Sequence, residues 1–366
     1  MDEKHSLDIF VLTGELSGDV LAADLLKELI SKYKIEGVIG QNLKALGCKE
    51  FLPMDSFNFM GFTKPISSLA KIISSFQKIK KHILKTNPKI VMLVDLPDIN
   101  LLMAKKLRKK GFTGKIIQVV CPTIWAWRPK RKAILEKYFD HLLCLFPFEK
   151  DLFVDSPLKV SYIGHPLKSI AVVEEENKKK VLAIFPGSRK QEVEKLLPLF
   201  LQASSDFKDY EIHVSVAKDS LLPLIKKITK NHKIEIKLPH QKDALIKETS
   251  VALAKNGTIN LELALSHVPQ ITCYTLSFFE ITVIAKIFSL YLTHYCLPNI
   301  LLNKRVIPEL IGPNATLKNI KKELYNLIHD PYIKKSMKAD YIELSSVFRK
   351  DSSLNAASIL QSQLCD

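Results

Sequence analysis

No Cys-x-x-Cys pair occurs in the chain, and its six cysteines, Cys48, Cys121, Cys144, Cys273, Cys296 and Cys365, lie far apart. That spacing argues against a disulfide frame and a structural zinc site, and it fits a reducing cytoplasm. Long apolar runs are also lacking. Ile9 to Thr13, after the polar start Met1 to His5, is too short for a signal-peptide core, so no export is expected. The longest charge-free stretch, Ile287 to Asn303, contains Thr293, His294, Pro298 and Asn299 and makes a poor spanning helix, so no transmembrane segment is expected. Neither the Gly-x-x-x-x-Gly-Lys-Ser/Thr phosphate loop nor the Gly-x-Gly-x-x-Gly fingerprint is present, which weakens an ATPase or dehydrogenase reading. No solenoid repeat, low-complexity tract or metal-ligand spacing is found, and no metal is expected. Acidic residues are few beside basic ones, 38 against 54, and the net charge of +16 points to anionic partners: nucleic acid, acidic lipid headgroups or phosphorylated substrates.

What is present has an ordinary globular balance, 47% hydrophobic and 25% charged, over 366 residues. That length exceeds what one hydrophobic core serves, so two domains are expected. Short β-branched runs alternate with helical-period segments, the signature of strand-helix-strand units and a mainly parallel sheet. The first half has runs at Asp8–Thr13, Glu36–Ile39, Lys89–Val94, Lys115–Val120, His141–Leu145 and Lys159–Ile163. The rhythm restarts at Val181–Phe185, Glu211–Val216, Lys233–Lys237, Val251–Ala254 and Gln270–Tyr274. Between the halves, the charged block 173–180 reads as a linker between a domain at 1–172 and one beginning at 181. From about Thr316 to Leu364 only helices are expected. The expected class is α/β with two Rossmann-like domains, whose ligands would lie beyond the strand ends in a cleft between them.

Several strand-end turns carry candidate chemistry. Pro186-Gly187-Ser188-Arg189 separates a strand from a helix at Lys190 to Ala203. Its backbone N–H groups and helix dipole suit an anion, and Arg189 adds a fork for phosphate oxygens. Asn256-Gly257-Thr258 repeats the arrangement after the neighbouring strand and leads into a helix containing Glu262, so the two turns together suit a diphosphate. The alternatives are a plain tight turn for the first and a simple N-cap role for Asn256. In the first half, Asp95-Leu96-Pro97-Asp98-Ile99-Asn100 puts two carboxylates and an amide at a buried strand's end, where general-base chemistry is mounted. Asp98 has an alternative use as the cap of the helix Ile99 to Lys109, whereas Asp95 has none. Thr13-Gly14-Glu15-Leu16-Ser17-Gly18-Asp19 is another such turn: Ser17 suits a cap of a helix to Tyr33, and Glu15 would face the cleft. Trp125 and Trp127, followed by Arg128, offer flat faces for a sugar or an acyl chain, or serve as core. His165 reads as a structural histidine.

Two stretches bear on a membrane surface. Leu69, Ile72, Ile73, Phe76, Ile79, Ile83 and Leu84 share one helical face and lysines occupy the rest, a pattern that equally packs on a sheet. The run Phe278 to Leu292, with Phe57 to Phe62, supplies apolar groups for a bilayer interface.

The order of these turns resembles the lipid-A-disaccharide synthases. The matching pieces are Gly14-Glu15-x-Ser17-Gly18-Asp19, Met60-Gly61, Asp95-x-Pro97-Asp98-x-Asn100, Trp125-Ala126-Trp127-Arg128, Pro147-Phe148-Glu149, Gly164-His165-Pro166 and Pro186-Gly187-Ser188-Arg189. Gly257-Thr258-x-x-x-Glu262 and Leu297-Pro298-Asn299-x-Leu301-Leu302-x-x-Arg305-x-x-x-Glu309-Leu310 follow. The resemblance implies a GT-B fold, with an acceptor domain at 1–172, a UDP-sugar domain at 181–335 and C-terminal helices at 336–366 returning to the first domain. It implies metal-independent, inverting transfer from UDP-2,3-diacylglucosamine to 2,3-diacylglucosamine 1-phosphate, giving the β(1→6) lipid A disaccharide 1-phosphate of a Gram-negative envelope, with UDP as leaving group. Asp95 would be the base and Arg189 a phosphate ligand, with Asn299 and Glu309 at the nucleotide. The remaining acceptor-side candidates are Glu15, Ser17, Asp19, Asp98, Asn100, Trp125 and Arg128. A cytoplasmic protein peripheral on the inner membrane face is implied, as are an anionic membrane partner, a homodimer with exchanged C-terminal segments and no nucleic acid. The rivals are another UDP-N-acetylglucosamine enzyme of this fold, such as a 2-epimerase or a different lipid glycosyltransferase, and a non-catalytic basic protein coating membrane or RNA. The chain departs from the family pattern at Gly40-Gln41-Asn42, Lys64-Pro65 and Asn256.

Overall fold

Each expected apolar run becomes a strand in the computed structural model, which describes residues 7–54, 66–125, 128–165, 167, 180–275, 293–347 and 352–365. The chain divides into two compact units, Met1–Pro166 with Lys350–Asp366, and Leu167–Arg349. Of the linker 173–180, residues 173–179 lie outside the described residues, as do Trp127, Lys64-Pro65 and the apolar stretches Phe57 to Phe62 and Phe278 to Leu292.

The first unit holds β1 (Ile9–Leu12), β2 (Ile35–Ile39), β3 (Lys49–Pro53), β4 (Ile90–Val94), β5 (Lys115–Val119), β6 (His141–Cys144) and β7 (Lys159–Tyr162). They form a parallel sheet in the order β3-β2-β1-β4-β5-β6-β7. Its helices are α1 (Leu16–Leu26), α2 (Gln41–Ala45), α3 (Ile66–Thr86), α4 (Pro97–Lys109), α5 (Arg131–Tyr138) and α6 (Pro147–Asp151). Phe10, Leu12, Val91 and Leu93 meet Ile79 and Ile83 of α3 and Met103 and Leu107 of α4 in one buried cluster. Each such side chain contributes roughly 1.5–3 kcal/mol of transfer free energy. The α3 face at Phe76, Ile79 and Ile83 therefore packs inward, while Ile73 remains 53% exposed.

The second unit holds β8 (Val181–Phe185), β9 (Glu211–Ser215), β10 (Glu235–Lys237), β11 (Val251–Lys255), β12 (Gln270–Tyr274) and β13 (Glu309–Ile311), in the parallel order β10-β9-β8-β11-β12-β13. Its helices are α7 (Lys190–Ser204), α8 (Leu222–Thr229), α9 (Lys242–Glu248), α10 (Thr258–Leu265), α11 (Leu297–Leu302), α12 (Leu317–His329) and α13 (Pro331–Val347). A last helix, α14 (Ser352–Cys365), belongs to the first unit and packs on α1. The C-terminal segment expected to return from 336 thus does so only from α14. The preceding α13 is fixed to the second unit, where Tyr341 is fully buried with its hydroxyl 3.4 Å from Gln270 Nε2, and Met337 Sδ accepts from Gln270 N at 3.4 Å.

Two strands escaped the sequence reading. β3 is an edge strand with no fully buried residue that begins with the exposed Lys49 and Glu50, and β13 has only three residues. Both sheets reverse direction of growth once, between β1 and β4 and between β8 and β11. Such reversals splay the following loops apart and open a crevice at the carboxyl ends of the strands.

Candidate active site

In the first unit, the reversal places the turns after β1 and β4 side by side. Asp95 and Leu96 both have left-handed backbone, with φ of +53° and +44°. A non-glycine residue there costs about 1–2 kcal/mol, and such strain concentrates where a side chain must be aimed. Hydrogen bonds hold the turn: Asp95 N donates to Val119 O at 3.0 Å, and Asp95 O accepts from Asn100 Nδ2 and from Gln118 Nε2 at 3.3 Å. Asn100 also donates to Gln118 Oε1 at 3.2 Å and is fully buried, a support rather than an open ligand. The turn packs tightly on α1. A Cβ on Gly14 would stand 2.1 Å from Leu96 Cδ1, and one on Gly18 would stand 3.9 Å from Asp95 Cβ. Burial raises the Asp95 carboxyl above its ordinary range, partly offset by the Leu96 N–H. A carboxylate made more basic in this way suits proton abstraction.

The other first-unit candidates separate into distinct places. Asp98 makes no cap: Leu96 is the N-cap of α4, and Asp98, 69% exposed, instead accepts from Arg128 Nη1 at 2.8 Å and Arg131 Nη2 at 2.5 Å. Glu15 is the half-buried N-cap of α1, so Ser17 is exposed within its first turn and is not the cap, and α1 ends at Leu26 rather than Tyr33. Asp19 is fully buried and accepts from Gly40 N at 2.7 Å, Asn42 N at 2.8 Å and Asn42 Nδ2 at 2.9 Å. It clamps the turn into α2 and is not open to an acceptor. Trp125 stands edge-on to Phe148, with centroids 5.5 Å apart. Glu149 of the same aromatic group is buried and accepts from Phe146 N at 3.1 Å; burial pushes its carboxyl up to about 7. His165 stacks on Phe146 at 5.2 Å, and burial lowers its imidazole to about 4.

In the second unit, the reversal between β8 and β11 brings the two glycine turns to one cavity of about 310 Å³. Gly187, Ser188, Gly257, Thr258 and Glu262 line it, together with Lys242 and Lys255, which the sequence reading missed. Gly187 has φ +114°, and a Cβ on it would lie 2.5 Å from Glu192 Oε2. Glu192 was missed too, although it sits three residues after Arg189, half of a capping box. Its Oε2 accepts from Ser188 N at 3.0 Å and Arg189 N at 3.2 Å, so those two N–H groups are engaged by the chain's own carboxylate. Arg189 is the N-cap of α7, with its side chain 59% exposed, Nη1 3.6 Å from Glu192 Oε1 and outside the cavity lining. Gly257, not Asn256, is the N-cap of α10, and its N–H donates to Asn260 Oδ1 at 2.8 Å. Asn256 Nδ2 donates to Tyr295 O at 3.1 Å, and Glu309 Oε1 accepts from Tyr295 N at 2.7 Å, so both brace the segment leading into α11. Asn299 is fully buried and spends its amide on Ile307 O at 2.9 Å, Val306 N at 2.9 Å and Ile307 N at 2.8 Å. Asn256 and Glu309 thus hold the approach to α11, Asn299 holds the turn from α11 to β13, and none of the three lines the cavity. Among the described residues no group of three or more His, Cys, Asp or Glu is arranged to hold a metal ion, and no helix is long and apolar enough to cross a membrane.

Residues 9–361 match the model of the lipid-A-disaccharide synthetase family. The chain belongs to that family. A lipid-A-disaccharide synthase of Chlamydia abortus is 37% identical over 336 residues, covering 85% of this chain and 53% of the relative, and one of Chlamydia caviae is 39% identical over 330 residues, covering 84% and 52%. The chain thus spans about half the length of the chlamydial relatives it matches. A synthase of Francisella philomiragia is 34% identical over 345 residues, covering 88% of this chain and 90% of its own. Among solved structures, a UDP-GlcNAc 2-epimerase from Neisseria meningitidis, bound to UDP-GlcNAc, has a TM-score of 0.61 at 12% identity, covering 98% of this chain and 99% of its own. A calicheamicin glycosyltransferase has a TM-score of 0.56 at 13% identity, covering 99% of each chain. At these identities the likeness concerns the fold alone, and it places this lipid-A-disaccharide synthetase family member in the GT-B class of two Rossmann-like units.

Proposed function

We propose that the chain joins two acylated glucosamines: UDP-2,3-diacylglucosamine is the donor, 2,3-diacylglucosamine 1-phosphate the acceptor, and the products are a β(1→6) disaccharide 1-phosphate and UDP. The observation that carries the reading is the cavity where two glycine turns and two lysines converge at the strand-order reversal of the second unit, in a chain of this family. A UDP diphosphate suits that lining. Asp95, at the corresponding reversal of the first unit, supplies the base.

Asp95 removes the proton of the acceptor 6-hydroxyl as its oxygen attacks the donor anomeric carbon from the face opposite UDP. The carbon–oxygen bond to the diphosphate breaks, the sugar passes through an oxocarbenium-like state, and the centre inverts. Charge gathering on the leaving diphosphate is stabilised by the cavity lysines and the N-terminal end of α10, electrostatic help typically worth about 10²–10³ in rate per donor. Asp95 serves better than Asp98, whose carboxylate is exposed and bound to two arginines. Family membership favours transfer over epimerisation and over a non-catalytic basic coat. An anionic membrane surface, as the source of both acylated sugars, and a second copy of the chain are the partners this reading adds, with the chain peripheral on the cytoplasmic face. Mass spectrometry of products after incubation with the two acylated monosaccharides, without added metal, tests it. A disaccharide 1-phosphate supports the reading, and monosaccharides of unchanged mass, epimerised or not, refute it.

A further inference from the structure

Lys255 ends β11 at the cavity wall, and its ammonium is fixed by two groups behind it. Nζ lies 3.1 Å from Glu192 Oε1 and 5.1 Å from the centroid of the Tyr274 ring, with the side chain 19% exposed. The same Nζ is 3.7 Å from where a Cβ on Gly257 would stand, so it sits directly at the second glycine turn. Glu192 is itself held in place: its other oxygen is bound by Ser188 N and Arg189 N, and its side chain is only 10% exposed. One carboxylate therefore links the first glycine turn to the lysine beside the second. An ammonium has three donor hydrogens, and a single carboxylate oxygen and a ring face leave capacity for a ligand.

The neighbouring cations are less suited. Lys242 also lines the cavity and is paired with Glu262 Oε2, but its side chain is 40% exposed, about twice as much as that of Lys255. Arg189, with its side chain 59% exposed and Nη1 3.6 Å from Glu192 Oε1, does not line the cavity. We propose that Lys255, aimed by Glu192, is the residue that receives the donor's diphosphate between the two glycine turns. This rests on the reading of the cavity as a UDP-sugar site. It assigns the phosphate contact to the residue before Asn256, the last of β11, to which the sequence reading gave no role.

Calorimetric titration of the full chain with UDP and with uridine tests the assignment, because only UDP carries the charged group that Lys255 would bind. For K255Q the expected result is UDP affinity weakened about ten- to hundred-fold, the range for losing one charge-assisted hydrogen bond, with uridine affinity within about twofold of the parent. K255R, which keeps the charge, should recover most of the loss. The assignment is overturned if the parent binds UDP and K255Q binds it equally well, or if K255Q loses UDP and uridine affinity by the same factor, the mark of a merely structural role. Should K255Q prove unfolded by circular dichroism, K255R decides, since equal loss of UDP and uridine binding by that variant also overturns it. If the parent chain binds no UDP, the donor-site reading fails first and the assignment falls with it.

Discussion

Asn100 Nδ2 donates to the main-chain oxygen of Asp95, so a fully buried amide on α4 supports the strained turn that carries the proposed base. Replacing it by alanine leaves that oxygen with Gln118 Nε2 at 3.3 Å. Loss of a buried hydrogen-bond partner costs about 1–3 kcal/mol. Asn100→Ala should therefore unfold at lower denaturant by that amount and also lower kcat, while UDP affinity, which depends on the other unit, stays unchanged.

Asp95→Asn keeps the side-chain shape and tolerates left-handed backbone. Turnover should fall by about 10²–10⁴-fold, the usual worth of a general base. The variant should melt no lower than the parent, because burial raises the parent carboxyl and a neutral amide avoids that cost. In the parent, the acid limb of the rate profile should lie above the range of an ordinary aspartate, with activity present when the carboxyl is ionised and lost as pH falls through its raised pKa. A folded Asp95→Asn protein with near-normal turnover removes Asp95 from the mechanism.

The strand rhythm was legible because both faces of these parallel strands are covered, so burial acts on every residue of runs such as Ile90–Val94 and Val181–Phe185. The edge strand Lys49–Pro53 and the three-residue Glu309–Ile311 lacked that signal. Glycine turns at strand ends were readable for the same local reason. What the sequence did not disclose was which polar side chains a neighbour had already engaged. Asp19, Asn299 and Glu309 look like ligands in the chain, yet each is taken up by backbone N–H groups 7 to 23 positions away, a matter of tertiary contact. Lys255 and Glu192 were overlooked conversely, since nothing local says that the first turn of α7 and the end of β11 converge.

Gly40 and Asp19 offer a test of the clamp at the family-divergent turn. A Cβ on Gly40 would stand 2.6 Å from Asp19 Oδ2, which must then move and release its three donors. Gly40→Ala should destabilise by about 1–3 kcal/mol, as overpacking does. With Asp19→Ala already present, the same change should cost less, and denaturant unfolding of the four proteins measures the difference. Strict additivity would contradict the clamp.

Glu149 should give stability a negative slope with pH. Its carboxyl, at about 7 in the fold against 4.5 ordinarily, stays protonated in the native state while the unfolded chain ionises. Stability from this group is complete below about 4.5, declines as pH rises through about 7 and is then flat, a loss of about 3 kcal/mol. Glu149→Gln removes the ionisation, so its stability relative to the parent should grow by about that amount over this window. A pH-independent difference between the two would show that Glu149 does not titrate there.

The anomeric configuration of the product tests the central claim of single-displacement transfer. Proton NMR of the disaccharide formed from an α-linked UDP donor should show only the β(1→6) linkage. An α-linked disaccharide, or release of UDP with no glycosidic bond formed in the presence of acceptor, would contradict the account.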